Sequence, residues 1–556
     1  MKRIAISSTN CWLQAAMLTA VMLWLVSAAA AQYTPVGLYN YPNTDNNTSG
    51  ITPSSFLAQG PDGNFYDTIF SNGDFNQGSV YTISLSGDYT LLYSFCAEGG
   101  NCLVTGSAPE GGVTLGSDGN FYGTTNGGGT GISGTVFKIT PAGKLTTLYS
   151  FPSDTAEGVN PVFPVFEATN GDFYGVTSAG GANGNGVLFR ITSAGKYALL
   201  ASFHDLVNGY NPNLPVQGTD GNFYGTTHNG GPNSGCCGTV YKSTAAGKIT
   251  VLYTFPSGQG SPVGQLVQGA DGNFWGVTNG VPFISCGELF KVSSSGDFTL
   301  VQTFGGQPND VCNAVSGLIV GSDAYLYGVT SAGGSANYGA IYRVNPSTGD
   351  LAVISSFCSG GTCTFYQPQP VLAQDTTGTF YGNTSGSSDG GSDFFSLNTG
   401  LGPFVRTESQ SGKVGAKVTF LGQDFTGATE VEFGGAPATF NVVSETELTA
   451  VVPAAAVTGV VSVVTSSGTL TATSNFKVLP TIKSINPTSG PVGTVVTITG
   501  SGLTGATSVT VGGKAASFTV VSSTEITVTV PSTAKTGKIT VTTAGGTASS
   551  ATFTVT

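Results

Sequence analysis

Short runs of β-branched and aromatic residues alternate with turns rich in Gly, Asn, Asp and Ser along most of the chain. Residues 112–151 show the pattern. Four runs follow one another: Gly112-Val-Thr-Leu-Gly116, Phe121-Tyr-Gly-Thr-Thr125, Thr135-Val-Phe-Lys-Ile139 and Leu145-Thr-Thr-Leu-Tyr-Ser-Phe151. Ser-Asp-Gly-Asn joins the first pair and Pro-Ala-Gly-Lys the last, both suited to tight turns because Gly and Asn accept positive φ. No long helical period interrupts the runs, so they predict four antiparallel strands. Phe121 and Tyr122 are neighbours, as are Val136 and Phe137. Successive side chains on a strand point to opposite faces, so both faces of such a sheet must be covered.

The unit repeats. Asp62-Gly-Asn-Phe-Tyr66 recurs as Asp118-Gly-Asn-Phe-Tyr122, Asn170-Gly-Asp-Phe-Tyr174, Asp220-Gly-Asn-Phe-Tyr224 and Asp271-Gly-Asn-Phe-Trp275, with weaker copies ending at Tyr327 and Tyr381. That makes seven units of roughly 52 residues. Four strands in a unit of this length fit a propeller blade better than a β-helix rung or a helical repeat. A blade is sandwiched by its neighbours, which meets the demand for two covered faces. The predicted fold is all-β, with a seven-bladed β-propeller over residues 32–405. A Gly follows the aromatic pair in every unit but the first, which has Asp67, and is expected to permit close backbone approach. Gly37-Leu-Tyr-Asn-Tyr41 resembles a fourth run yet precedes any first run. It is the expected closing strand of the last unit, with Pro403-Phe-Val-Arg-Thr407 as competitor.

After about residue 405 aromatics thin out and Thr and Val dominate. A second repeat appears with an offset of 78: Val414-Gly415 matches Val492-Gly493, Gly434-Gly435 matches Gly512-Gly513, and Val452-Pro453 matches Val530-Pro531. Alternating short strands with turn signals predict two β-sandwiches, at 406–479 and 480–556.

Two resemblances follow from these motifs. The Asp-Gly-Asn-Phe-Tyr-Gly and Gly-x-Val-Phe-Lys-Ile runs resemble the GloVer tandem repeat of exported bacterial proteins, which implies a secreted or surface location and no assigned chemistry. Ile485-Asn-Pro-Thr-Ser-Gly-Pro-Val-Gly493, Ile498-Thr-Gly-Ser-Gly-Leu503 and Val509-Thr-Val-Gly-Gly513 resemble the IPT/TIG immunoglobulin-like family. The copy at 406–479 is more degenerate, with Glu408-Ser-Gln-Ser-Gly-Lys-Val-Gly415 lacking both prolines. Some members of that family bind DNA. This chain has a net charge of −12 and no basic run, which argues against nucleic acid or anionic lipid as partner. In exported proteins the resemblance implies spacers or interaction modules.

Residues 1–31 read as a secretory signal: Lys2 and Arg3, a mostly apolar stretch from Trp12 to Val26, and small residues before an expected cleavage after Ala31. No membrane span is expected after cleavage. Eight cysteines remain, an even number that suggests disulfides in an exported chain. Cys96 with Cys102 and Cys358 with Cys363 predict two local bridges in short Gly-bearing loops. Cys286 with Cys312 is the favoured third pair. Cys236 and Cys237 form either a vicinal bridge or two free thiols.

Chemistry is sparse. No nucleophile elbow, zinc-protease helix, phosphate loop or dinucleotide fingerprint is present, and no cofactor is expected. One Asp per Asp-Gly-Asn turn is far short of a calcium shell. His204 and His228 belong to loops at one end of the fourth unit, near Cys236 and Cys237. They form a speculative metal or redox cluster, against the alternative of unrelated loop histidines beside a disulfide. That same end of the units carries the longer loops, where binding residues tend to lie. Phe75, Phe163, Tyr210, Phe283, Tyr338 and Tyr366 are candidate contacts for a sugar ring or a protein partner, or else they pack their own loops. The reading is an exported, non-enzymatic binding or adhesion protein for a polysaccharide or cell-surface protein. The alternatives are a carbohydrate-active enzyme using carboxylates among Glu110, Glu157, Glu167, Asp205 and Asp310, or a structural envelope component.

Overall fold

The computed structural model describes residues 33–41, 53–54, 56–97, 102–232, 237–281, 285–305, 310–358, 365–387 and 392–556. Within them the regular structure is almost wholly β, with two short α-helices, Cys102–Thr105 and Asp205–Asn208, and one 3-10 turn, Phe425–Gly427. The expected leader at 1–31 lies outside the described residues. No helix among those described is long and apolar enough to cross a membrane.

Each repeat builds one antiparallel sheet. In the second, Val113–Leu115, Phe121–Thr125, Thr135–Ile139 and Leu145–Ser150 follow in order, matching the four runs. In the fourth and sixth, the first run is split into two short strands. The last repeat supplies three strands of its own, Phe365–Gln374, Phe380–Ser387 and Ser392–Leu397. Val36–Tyr41 pairs with Ser392–Leu397 as the fourth. The competitor takes another role: Arg406–Thr407 pairs with Lys417–Leu421 in the first sandwich.

The second strand of each of the first five repeats is buried along five consecutive residues, Phe121–Thr125 among them. Both aromatics find shelter because neighbouring sheets share them. Tyr66 stacks on Phe121 at 3.9 Å, Tyr122 on Phe173 at 3.9 Å, Tyr174 on Phe223 at 4.2 Å and Tyr224 on Phe274 at 3.7 Å. Trp275 and Leu326 share a core cluster, and Tyr327 meets Phe380 at 4.4 Å. Tyr381 then meets Phe65 at 5.0 Å, so the last repeat packs on the first. Each such pair adds about 0.5–1.5 kcal/mol beyond burial of its apolar area.

The Gly after the aromatics makes room for a ring, and at Gly123 also for the expected backbone approach, with Gly112 O 2.9 Å from where a Cβ would stand. Gly123 pairs with Phe137 across the strands, and the Phe137 ring lies over it. A Cβ on Gly123 would fall 2.5 Å from Phe137 Cζ, and the same holds for Gly175 under Phe189 and Gly276 under Phe290. The Asp of each turn also does more than turn the chain. Asp118 accepts the Asn120 backbone N–H at 3.1 Å and the Tyr122 hydroxyl at 2.8 Å, tying the turn to the strand it opens. Lys242 reaches Asp220 at 3.0 Å from the third strand, an exposed pair of small energetic weight.

Residues beyond 404 form two sandwiches with separate cores. Val418, Phe420, Phe433, Leu448 and Phe476 are buried in the first, and Val496, Ile498, Val511, Ile526 and Phe553 in the second. The 78-residue offset is visible in the packing: Phe420 and Phe433 are replaced by Ile498 and Val511 at the same core positions.

Candidate functional site

In an antiparallel four-stranded sheet, the connection between strands two and three leaves from the same end as the link to the next repeat. The structure ties these loops together. Bridges join Ser107 to Gly127 and Val159 to Ala179. Backbone N–H groups of Ala108, Asn160, Asn211 and Gln367 donate to carbonyls of Gln77, Ser133, Asn185 and Tyr338 in the preceding repeat. All four donors hold positive φ, between 54° and 57°. Sequence reasoning did not single them out, although Asn at two of them is a weak signal, because Asn tolerates this region. The loop end of the repeats is thus held together by bonds that cross from one repeat to the next.

Two disulfides reinforce this end, Cys96–Cys102 and Cys286–Cys312, as the spacing predicted. Cys237 and Cys358 are also disulfide-bonded, while their expected partners Cys236 and Cys363 lie outside the described residues.

Among the candidate contact residues, Phe75, Tyr210 and Tyr338 are exposed. Phe163 is not: it is half-buried, edge-on to Phe56 at 6.3 Å, and lines a cavity that opens to solvent. Phe283 and the side chain of Tyr366 lie outside the described residues. The loops bearing the histidines do meet, through Gly231 N–H to Asp205 O at 2.6 Å. His204 is nonetheless exposed beside its short helix, whereas His228 lines the cavity with Nδ1 3.4 Å from Pro262 O. Among the described residues no group of three His, Cys, Asp or Glu is placed to hold a metal.

The cavity, ≈ 500 Å³, lies among the first strands of several repeats. Phe56, Phe163, Val263, Leu318 and Leu372 supply apolar walls. Among the described residues its lining contains one charged side chain, Arg406, which no motif signalled. Arg406 comes from the connection to the first sandwich. Its Nη2 donates to Gln374 O at 2.8 Å, and its guanidinium lies 5.7 Å from the Phe404 ring. Enclosure by protein pulls its pKa below the ordinary value, while the nearby Asp375 carboxylate acts the other way.

The opposite end of the repeats, where the Asp-Gly-Asn turns lie, is met by the first sandwich. Thr446 donates to Pro61 O at 2.8 Å, Gln423 to Thr376 Oγ1 at 2.9 Å and Lys477 to Thr219 O at 3.4 Å. Glu408 sits in this junction. Burial pushes its carboxyl up to about 7, helped by the negative charges of Glu447, Asp118 and Glu167 and opposed by a hydrogen bond from Thr419.

Residues 28–214 and 166–396 match the Gloeobacter/Verrucomicrobia repeat, and residues 403–478 and 480–555 match the IPT/TIG domain. No curated protein matches the chain. Similar solved structures include the extracellular domain of a putative one-component system from B. thetaiotaomicron, at 12% identity over 81% of this chain and 58% of that one, with a TM-score of 0.43. The extracellular domain of a putative hybrid two-component system from B. thetaiotaomicron matches at 11% identity over 90% of this chain and 63% of that one, with a TM-score of 0.43. PorZ, a surface component of the type-IX secretion system of Porphyromonas gingivalis, matches at 14% identity over 76% of this chain and 59% of that one, with a TM-score of 0.42. The chain spans less than two thirds of the length of each of these three. With the repeat covering most of its length and two sandwiches behind it, the chain belongs to the Gloeobacter/Verrucomicrobia repeat family and carries two IPT/TIG domains.

Proposed function

We propose that the seven repeat sheets form a seven-bladed β-propeller, exported through a leader ending at Ala31, and that its loop face binds a polysaccharide or a cell-surface protein. The contact of Tyr381 with Phe65 supports the closed ring, because it joins the last repeat to the first. The observation that carries the binding reading is the apolar character of the loop end. Phe75, Ile132, Leu206, Val207, Tyr210 and Tyr338 are all exposed there. They lie on loops of several different repeats, and loops held on a rigid scaffold are where binding residues tend to lie. The opposite end is met by the first IPT/TIG domain, so the loop end is the one left to a partner. In this reading the IPT/TIG pair acts as spacer or additional contact.

A glycosidase needs two carboxylates facing its substrate. Glu110 instead accepts from Asn126 and Glu167 from Ser117, and no carboxylate is among the described residues lining the cavity beside Arg406; Asp118, Glu408 and Glu447 line a separate cleft at the junction with the first sandwich. This favours binding without turnover.

The test uses the chain from residue 32 onward on a glycan array, on a panel of isolated cell-surface proteins, and in a glycan-turnover screen. Binding to one class, reduced at least tenfold in a Phe75→Ala/Tyr210→Ala/Tyr338→Ala variant with unchanged thermal midpoint, supports the proposal. Turnover of any glycan, or binding untouched by the triple substitution, defeats it.

A further inference from the structure

We propose that the cavity lined by Phe56, Phe163 and Arg406, which opens to solvent, is a binding site for a small organic acid with an apolar body, its carboxylate held by Arg406. The site is separate from the loop face, and its volume of ≈ 500 Å³ suits a small molecule.

Three observations carry this. The first is the walls, built from the rings of Phe56 and Phe163 and from Val263, Leu318 and Leu372. They favour an apolar ligand body.

The second is that, among the described residues, most amide and hydroxyl donors of the lining are committed to protein, the second Gln265 N–H and the His228 ring being the exceptions. The Asn213 amide donates to Thr226 Oγ1 at 2.8 Å and to Pro262 O at 3.2 Å. The Gln265 amide donates to Pro215 O at 2.8 Å. The Gln374 amide donates to Ser322 Oγ and to Gly378 O, both at 3.0 Å, and the Ser316 hydroxyl to Gly317 O at 2.9 Å. A neutral sugar, with a hydroxyl on nearly every carbon, would leave most of those hydroxyls unpaired on entry, at a cost for each.

The third is Arg406. Among the described residues its guanidinium makes one hydrogen bond, to Gln374 O, and no ion pair. Its side chain is exposed to solvent and borders the cavity. A planar guanidinium with spare donors beside apolar walls suits a carboxylate, which it can grip with two parallel hydrogen bonds. Arg190 and Arg343, the other arginines past the leader, are engaged elsewhere, with Asp172 and the Tyr325 ring.

Arg406 also belongs to the short strand that opens the first IPT/TIG domain. A bound acid therefore bridges the repeats and that domain, and stabilises their docking by mass action.

Calorimetry on the chain from residue 32 onward at pH 7 tests this with 3-phenylpropionate, its alcohol 3-phenylpropanol, and D-glucuronate. The expected result is saturable one-to-one binding of 3-phenylpropionate, at least tenfold tighter than either comparison compound, with a rise in thermal midpoint. Arg406→Gln removes the preference for acid over alcohol, and Arg406→Lys retains part of it. Should Arg406→Gln disturb docking, Leu372→Trp narrows the cavity from its wall without touching the guanidinium and abolishes binding. The Phe75→Ala/Tyr210→Ala/Tyr338→Ala variant binds the acid normally, so failure at the loop face and failure here are separable. Equal affinity for acid and alcohol, preference for glucuronate, no binding of 3-phenylpropionate, or wild-type affinity in Leu372→Trp overturns the proposal.

Discussion

Tyr81 donates its hydroxyl to Asp67 Oδ2 at 2.9 Å, across the strand pair where the second, third and fifth repeats lay a phenylalanine over a glycine. Asp67 is fully buried and accepts further hydrogen bonds from Ser54 Oγ and the Thr68 backbone N–H. Tyr41 of the N-terminal strand extends the network, 2.9 Å from the Tyr81 hydroxyl and 3.4 Å from Asn383 of the last repeat. The one departure from the glycine rule thus sits where the first repeat, the last repeat and the N-terminal strand meet.

That network makes stability depend on pH. Burial pushes the Asp67 carboxyl up to about 7, against the partial relief of its hydrogen bonds from Ser54, Thr68 and Tyr81. An unfolded Asp ionises near 4. Between those values the folded state holds a proton that the unfolded state has lost, so stability falls as pH rises from about 4 to 7. The slope from this group approaches 1.4 kcal/mol per pH unit at most. Urea midpoints measured from pH 4.5 to 7.5 should fall in the wild type and fall less steeply in Asp67→Asn. Parallel slopes would show that Asp67 is not the group responsible.

Glu408 makes a related prediction for the junction between the repeats and the first IPT/TIG domain. Its carboxyl, raised to about 7 in the docked state, ionises at about 4.3 once freed, so docking weakens as pH rises from about 4 to 7 and levels off above that. Limited proteolysis of the connector at 398–403 should accelerate between pH 4.5 and pH 7.5. Glu408→Gln should flatten that increase and leave cleavage at pH 4.5 unchanged.

Gly123 and Gly119 separate two causes of glycine use. A Cβ on Gly123 clashes with the Phe137 ring at 2.5 Å, whereas Gly119 has nothing within 4 Å but holds φ +74°. Gly119→Ala should cost about 1 kcal/mol of backbone strain. Gly123→Ala should cost about 1–3 kcal/mol through overpacking. A Gly123→Ala/Phe137→Leu double variant, measured by denaturant unfolding, should recover part of the second loss and none of the first.

The two defined disulfides should differ in weight. Cys286–Cys312 closes a separation of 26 residues and Cys96–Cys102 one of 6. Chain entropy gives roughly 3–4 kcal/mol for the longer and about 2 kcal/mol for the shorter. Paired Cys→Ser substitutions compared by thermal unfolding should preserve that order.

Much of the fold was legible in the chain because its signals are local and repeated. The Phe-Tyr doublets declare sheets covered on both faces, and Tyr122 against Phe173 shows what covers them. The Asp-Gly-Asn turns, the two disulfide spacings and the 78-residue offset likewise depend on residues close in sequence or related by a constant step. The site was less legible. Phe163 has the look of an exposed loop aromatic, yet it faces inward, since alternation along a strand does not say where an irregular segment turns its ring. His204 and His228 are brought near by backbone but face different places.

What the amino-acid order determined by itself was the strand pattern, the repeat, the N-terminal run that completes the last sheet, and the need for apolar cover on every sheet face. What only the tertiary structure decided was the company of residues far apart in sequence: Tyr41 with Asn383, Glu408 with Asp118, and Arg406 at the wall of a cavity built from several repeats. The physical reason is that strand propensity and turn chemistry act over a few residues, whereas desolvation and charge depend on everything the folded chain brings within several ångströms.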